Sequence, residues 1–83
     1  MKTVVITGSA RGLGFEMSKV FRKNNLNVVL SDLSEENLVK AKENLEKIQS
    51  DAKVEYAVCN VTKVEDIQNL ISFVKDKFNK IDI

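Results

Sequence analysis

The sequence predicts an α/β fold in which a parallel β-sheet carries helices on both faces, a doubly wound arrangement. Three observations support this prediction: short Val- and Ile-rich runs alternate with longer amphipathic stretches, a glycine-rich turn follows the first run, and proline is absent. Strands that alternate with helices of this length are joined by right-handed crossovers, so neighbouring strands run parallel. The absence of proline favours uninterrupted helices and strands.

The first strand and the first helix are separated by the glycine-rich turn. Lys2–Thr7 is a short apolar run that predicts a strand buried on both faces. In the helix that follows, we expect one apolar face to pack inward, formed by Leu13, Met17, Val20 and Phe21. Phe15 falls on the opposite side, either as a single exposed residue or as a contact for chain outside this sequence. The helix should end near Asn24 and Asn25, because asparagine tolerates the left-handed conformation found at helix ends.

The second strand is predicted at Leu26–Ser31 and brings Asp32 to its carboxyl end. Ser34 is the predicted N-cap of the next helix. The buried face of that helix should consist of Leu38, Ala41, Leu45 and Ile48, which recur at helical spacing. Lys53–Cys59 is the predicted third strand.

The third helix should begin with a capping box in which Thr62 is the N-cap and Glu65 reaches back to it. Its apolar stripe is predicted to consist of Ile67, Leu70, Ile71, Val74 and Phe78. This helix would return across the other face of the sheet to a fourth strand beside the first, and Ile81–Ile83 resembles the start of that strand. We therefore interpret the sequence as an incomplete sheet, about the first third of a larger domain, with a complete small protein as the alternative.

Size and composition limit the number of domains and the classes of partner. The chain has 83 residues, 43% of them hydrophobic and 30% charged, which is typical of one globular domain with no second. Thirteen Lys and Arg against twelve Asp and Glu give no electrostatic basis for binding nucleic acid or an anionic membrane. The apolar run Val4–Ile6 is too short for a signal-peptide core or a transmembrane helix.

The reactive residues exclude several kinds of site. The single cysteine, Cys59, cannot form an intramolecular disulfide, which favours a reducing, cytoplasmic setting. The sequence contains no histidine, so a Cys/His zinc site and a histidine base are excluded, and we predict no metal site.

The glycine-rich turn predicts a phosphate site. The first N–H groups of a helix have no internal acceptors and lie at the positive end of the helix dipole. Gly8 would adopt a positive φ, Gly12 would leave room for a pyrophosphate, and Gly14 would let the helix approach the strand closely. The spacing G-x-x-x-G-x-G differs from the G-x-G-x-x-G fingerprint, and no Lys-Ser/Thr pair follows as in a nucleoside-triphosphate loop. The alternative is a tight turn with no ligand.

Asp32 lies 18 residues after Gly14, near the spacing of about 20 expected for an acid that binds the adenosine ribose. Its carboxylate would accept hydrogen bonds from both ribose hydroxyls and would repel the extra phosphate of NADP. The alternative is a turn residue ahead of the next helix. Arg11 could instead pair with that phosphate. We weigh Asp32 more heavily, so the predicted cofactor is NAD rather than NADP.

Four segments of the sequence resemble the short-chain dehydrogenase/reductase family. Thr7–Gly14 is similar to its T-G-x-x-x-G-x-G segment, and Val29–Asp32 resembles the NAD-preferring end of its second strand. Cys59–Thr62 resembles its D-V-T-like segment, and Phe78–Ile83 the approach to its fourth strand. The resemblance implies the N-terminal part of a single NAD(P)-binding Rossmann domain. It also implies hydride transfer between the dinucleotide and an alcohol or carbonyl substrate, and a homo-oligomer for the intact protein.

The resemblance also implies roles for individual residues. Gly8, Gly12 and Gly14 would shape the cofactor turn, the Leu13 N–H would meet the pyrophosphate, Arg11 would lie by the adenosine, and Asp32 would bind the ribose. Asn60, where the family commonly has Asp, would accept from the adenine amino group through its amide oxygen. The Val61 backbone would meet the adjacent ring nitrogen.

The residues that carry out the family's reaction are not found in this sequence. That reaction uses a Tyr-x-x-x-Lys pair with a serine upstream, whereas the one tyrosine, Tyr56, lies on a predicted strand and should serve packing. We therefore name no catalytic residue and expect these 83 residues alone to be inactive. Two other hypotheses stay open: a non-catalytic dinucleotide-binding or regulatory module, and an interaction domain whose glycines are purely architectural.

Overall fold

The computed structural model describes residues 2–79 and 81. The elements, in chain order, are β1 (Thr3–Thr7), α1 (Gly12–Lys23), β2 (Asn27–Asp32), α2 (Glu35–Glu46), β3 (Val54–Val58) and α3 (Val64–Phe78). The strands form one parallel sheet in the order β1-β2-β3. The predicted α/β fold is confirmed. Of the predicted fourth strand, Asp82 and Ile83 lie outside the described residues, and Ile81 is not in a strand.

The sheet is covered on both faces. Side chains alternate along β2, so Val28 and Leu30 face α1 and α2, whereas Val29 faces α3. On the first face, the packed residues also include Leu38, Ala41, Leu45, Val54, Phe15, Phe21 and Tyr56. On the second face they include Cys59, Leu70, Val74, Val5, Ala57, Phe73 and Phe78. The central strand β2 is therefore buried on both sides.

The predicted inward face of α1 was wrong for three of its four residues. Leu13, Met17 and Val20 are 77%, 43% and 58% exposed, and only Phe21 packs against the core. Phe15 packs against the same core, so the interpretation of Phe15 as a single exposed residue was wrong. The inward face instead includes Ser18, which is fully buried and donates to the Gly14 carbonyl at 2.8 Å. Small residues allow α1 to lie close to the sheet, which an apolar pattern does not reveal.

Arg22 is buried and joins α1 to the end of α2. Its side chain donates from Nε to the Leu45 carbonyl and from Nη1 to the Ala52 carbonyl, both at 2.6 Å. Leu45 lies in the last turn of α2, where a positive charge is stabilised by the helix dipole. Ala52 lies just before β3. The guanidinium therefore connects α1 to the end of α2 and to the segment that leads into β3, at the amino-terminal edge of the sheet.

Replacing Arg22 by methionine is expected to lower the free energy of unfolding by about 2 kcal/mol, because both carbonyls lose a charged donor. Methionine keeps most of the apolar length of the side chain, so the loss reports the hydrogen bonds. Lys23→Met is the matched control, since Lys23 is exposed, and it should change the stability by less than about 0.5 kcal/mol. Equal effects of the two substitutions in urea unfolding would contradict this role for Arg22.

The end of α1 and the start of α2 agree with the sequence prediction, whereas the start of α3 does not. Ser34 caps α2, its hydroxyl accepting from the Asn37 N–H at 3.3 Å, and Asn25 takes the left-handed conformation (φ 62°) after α1. The capping box at α3 was wrong: the N-cap is Lys63. Thr62 instead donates its N–H and its hydroxyl to Asn60 Oδ1, at 2.9 and 2.6 Å, so the hydroxyl is committed to a turn that precedes the helix.

The apolar stripe of α3 is buried only in part. Leu70 and Val74 are buried and Phe78 packs beside them, whereas Ile67 and Ile71 are 36% and 39% exposed. The part of the chain that the structure describes thus covers only one flank of this helix.

Candidate functional site

The candidate site lies at the edge of the sheet where the carboxyl ends of the three strands meet. The register pairs Thr7 with Ser31, and Asp32 with Val58, so the segments that follow these strands are neighbours. In open α/β sheets, ligands bind in the crevice beyond this edge. The glycine-rich turn, Asp32 and the Asn60 segment are all found here.

Two glycines of the turn adopt backbone conformations that favour glycine. Gly8 has φ 62° and Gly12 has φ 68°. Among the described residues, no atom beyond the adjacent ones in the chain lies within 4 Å of a Cβ built on either glycine, so that Cβ would point into open space. At Gly12, therefore, glycine provides both the conformation and a side of the turn with no side chain in the way.

Gly14 has a different role, because its position is restricted by contact. A Cβ there would lie 2.7 Å from the Gly8 carbonyl oxygen and 3.0 Å from the Ser9 Cα. Both are backbone atoms, so no side-chain rotation would relieve the contact. The absence of a side chain at Gly14 is what lets α1 begin directly against the end of β1.

The amino terminus of α1 has no side-chain cap. Its N-cap, Arg11, makes no capping hydrogen bond, and no acidic residue lies in its first turn. By contrast, α2 has the Ser34 cap, and α3 has acidic residues in its first turn. The first N–H groups of α1, that of Leu13 among them, therefore have no carboxylate or hydroxyl from their own helix end to accept from them. This arrangement favours an anion at this point.

Asp32 is held against the glycine-rich turn. Its Oδ2 accepts from the Ala10 N–H at 3.1 Å, and its Oδ1 accepts from the Leu33 N–H at 2.7 Å. The side chain is half-buried, so the carboxylate keeps access to solvent at the mouth of the turn. The structure thus brings together the acid and the turn, which in the sequence are related only by their spacing.

Ser9 connects the turn to β2 and was not among the site residues predicted from the sequence. Ser9 is fully buried, its N–H donates to the Ser31 carbonyl at 3.1 Å, and its Oγ accepts from the Ser31 N–H at 2.9 Å. A serine among the variable positions of a glycine turn gives no signal in a single sequence. Its partner is 22 residues away and becomes evident only from the fold.

The other predicted site residues are at the same edge but differ in what they offer. Arg11 and Leu13 are exposed, so the Arg11 charge and the apolar Leu13 side chain both face solvent. Val61 is 55% exposed. Asn60 departs from the expectation, because its Oδ1 already accepts two hydrogen bonds from Thr62. An adenine amino group would have to compete with Thr62 for that oxygen.

Tyr56 has the packing role that was predicted for it. Its ring packs against the core on the α1/α2 face, and its hydroxyl donates to Glu35 Oε2 at 3.4 Å. Desolvation and the neighbouring Glu35 carboxylate raise the pKa of Tyr56 above its ordinary value. A tyrosine that exchanges protons with a substrate near neutral pH needs the opposite shift.

Two further functions have no support in the described residues. Over residues 2–79 and 81, no three or more His, Cys, Asp or Glu side chains are grouped so that they could hold a metal ion. No helix in the same part of the chain is long and apolar enough to cross a membrane.

Comparison with known proteins assigns the family. The sequence matches the family model for short chain dehydrogenases over residues 2–83. The chain belongs to the short chain dehydrogenase family. This membership confirms the resemblance that was based on four segments of the sequence, and it agrees with the Rossmann-type arrangement of the sheet.

Individual members of the family are similar to this chain along nearly its whole length. Chlorophyll(ide) b reductase NOL of Oryza sativa subsp. japonica is 38% identical over 80 residues, covering 96% of this chain and 23% of the relative. Short-chain dehydrogenase reductase 3b of Arabidopsis thaliana is 30% identical over 82 residues, covering 99% of this chain and 30% of the relative. The chain thus spans less than a third of the length of these relatives.

Solved structures of the family have the same fold. Levodione reductase superposes with a TM-score of 0.92 at 26% identity, covering 98% of this chain and 31% of that protein. The alcohol dehydrogenase from Thermococcus sibiricus, complexed with 5-hydroxy-NADP, superposes with a TM-score of 0.90 at 27% identity. That match covers 99% of this chain and 34% of the dehydrogenase.

Proposed function

We propose that this chain is the cofactor-binding part of an oxidoreductase that transfers hydride between NAD and an alcohol or carbonyl substrate. The observation that carries the proposal is the hydrogen bond between Asp32 Oδ2 and the Ala10 N–H, 3.1 Å long. It holds a carboxylate suited to ribose hydroxyls beside a turn suited to a pyrophosphate. Family membership supplies the class of reaction, and the site supplies the means of holding the dinucleotide.

The described residues fit the adenosine and pyrophosphate portions of a dinucleotide. The uncapped N–H groups at the start of α1 would bind the pyrophosphate, and the open side of Gly12 would admit it. The half-buried Asp32 would accept from the ribose hydroxyls, and Asn60 and Val61 would border the adenine. Bound NAD would supply the hydride acceptor, and this part of the chain would orient it.

The preference for NAD over NADP is part of the proposal and depends on Asp32. A dianionic 2′-phosphate placed at this carboxylate would meet a like charge, which costs several kcal/mol in a partly desolvated site. Arg11 is exposed at the turn and would favour the phosphate instead. The complex of the Thermococcus sibiricus enzyme with 5-hydroxy-NADP is consistent with that alternative for a relative. We favour NAD because Asp32 is fixed by two backbone donors.

The proposal is tested by titrating the protein with NAD and NADP and following the heat of binding. We expect NAD to bind at least about tenfold more tightly, a difference of about 1.4 kcal/mol. Tighter binding of NADP would overturn the preference. Failure to bind any adenine dinucleotide would overturn the function and favour the interaction-domain hypothesis.

A non-catalytic dinucleotide-binding or regulatory module is the second candidate. It is supported by what the described residues offer at the candidate site, which are groups suited to holding a dinucleotide and no tyrosine, since Tyr56 packs against the core and donates to Glu35. Turnover of NAD with a panel of alcohols and ketones, assayed on the intact protein, distinguishes the two candidates, because these 83 residues are expected to be inactive under either one. Tight binding of NAD with no turnover on any member of the panel would support the second.

A further inference from the structure

The side chain of Ser9 extends the contact between the first two strands past the end of β1. The β1–β2 register ends where Thr7 pairs with Ser31. The chain then turns at Gly8, yet Ser9 still binds both backbone groups of Ser31 through its own N–H and hydroxyl. We call these hydrogen bonds the 9–31 clasp. Ser31 Oγ, although buried, has no partner among the described residues, so the clasp uses the Ser9 side chain and not that of Ser31.

The clasp lies directly beside the groups proposed to hold the dinucleotide. Ser9 binds Ser31, and the next residue of the turn, Ala10, binds the next residue of β2, Asp32. Two consecutive residues of the turn are therefore attached to two consecutive residues of the strand. Ser9 is fully buried and Ala10 is half-buried, whereas Gly8 and Arg11 on either side of this pair are exposed, so Ser9 is the more deeply buried of the two attached residues.

We propose that Ser9 is a positioning residue of the cofactor site, a role that rests on the proposed dinucleotide function. The 9–31 clasp fixes the distance between Asp32, which would hold the ribose, and the amino terminus of α1, which would hold the pyrophosphate. A ligand that contacts both Asp32 and the amino terminus of α1 binds more tightly when the distance between them is already fixed, because its binding does not have to order the turn. A ligand that contacts only one point gains nothing from it.

The test compares ADP-ribose, which reaches both points, with adenosine, which reaches only the ribose point. Ser9→Ala should weaken ADP-ribose binding by about tenfold and adenosine binding by less than about twofold, measured by NMR titration of the protein. In an Asp32→Ala background, the effect of Ser9→Ala on ADP-ribose should shrink to less than about threefold, because one of the two positioned points is gone.

Ser18→Ala is the matched control. It also removes a fully buried hydroxyl with a hydrogen bond, but this hydroxyl donates within α1 to the Gly14 carbonyl. It should lower the melting temperature without changing the ratio of the two affinities. If Ser9→Ala likewise lowers both affinities equally, Ser9 has only a structural role and the inference is wrong.

Hydrogen exchange tests the clasp even if Ser9→Ala fails to fold. In the unliganded wild-type protein, the Ser31 amide should exchange as slowly as the Val29 amide within β2, since the clasp exists before the ligand binds. Protection of Ser31 that develops only with NAD would overturn the inference and leave the proposed function intact. A wild-type protein that binds neither NAD nor ADP-ribose would overturn both.

Discussion

Replacing Gly14 by alanine is expected to lower the free energy of unfolding by about 3 kcal/mol, at the upper end for overpacking. The new Cβ would lie 2.7 Å from the Gly8 carbonyl oxygen, with the Ser9 Cα at 3.0 Å. Because both contacts are with backbone, the first turn of α1 has to move away from the end of β1. We also expect weaker binding of NAD, since that movement shifts the N–H groups proposed to hold the pyrophosphate. Urea unfolding and calorimetric titration measure the two effects.

Gly12→Ala separates the effect of contact from that of backbone conformation. Gly12 has φ 68°, so alanine there costs about 1–2 kcal/mol through backbone strain alone, and no atom of the described residues beyond its chain neighbours lies within 4 Å of its Cβ. Gly12→Ala should therefore be less destabilising than Gly14→Ala, yet at least as harmful to NAD binding, because its Cβ points into the open side of the turn. A larger loss of stability at Gly12 than at Gly14 would show that close packing of α1 is not what Gly14 provides.

The positions of the strands were predictable because burial on both faces gives a signal that depends on local sequence. The run Val28–Leu30 is apolar at every position, as a central parallel strand requires, and all three residues are fully buried. The inward face of α1 was not predictable in the same way. That face combines Phe15 and Phe21 with Ser18 and Arg22. The guanidinium of a buried Arg22 needs hydrogen-bond acceptors, and these are the carbonyls of Leu45 and Ala52, which only the fold brings close to it.

Some residues of the candidate site could likewise be predicted from the sequence, and others could not. The glycine spacing and the position of Asp32 could be read from the sequence, because each is fixed by short-range geometry at the end of a strand. The occupied amide of Asn60 and the buried Ser9 could not. Thr62 has two equally local options, capping α3 or binding Asn60, and the sequence pattern favoured the wrong one. The hydrogen-bond partner of Ser9 is Ser31 on β2, 22 residues along the chain, so no local pattern indicates the contact.

Substituting Asp32 by asparagine is expected to change the choice of cofactor. The ratio of the NADP to the NAD dissociation constant should fall by about 100-fold, or about 2.7 kcal/mol, because the repulsion of a 2′-phosphate is removed while the size of the side chain is kept. The affinity for NAD should itself fall by about tenfold, since asparagine offers one acceptor oxygen where the carboxylate uses one oxygen for Leu33 and the other for Ala10.

If the preference for NAD over NADP depends on the charge of Asp32, two further results are expected. Asp51→Asn is the same chemical change at an exposed position between α2 and β3, at the opposite edge of the sheet, and it should leave the ratio unchanged. In the wild-type protein, added salt should lower the ratio of the NADP to the NAD dissociation constant. Asp32 is only half-buried, so salt screens part of its repulsion of the 2′-phosphate. If the ratio stays the same in Asp32→Asn, the carboxylate does not face the ribose. The hydrogen bond to Ala10 would then serve only to shape the turn.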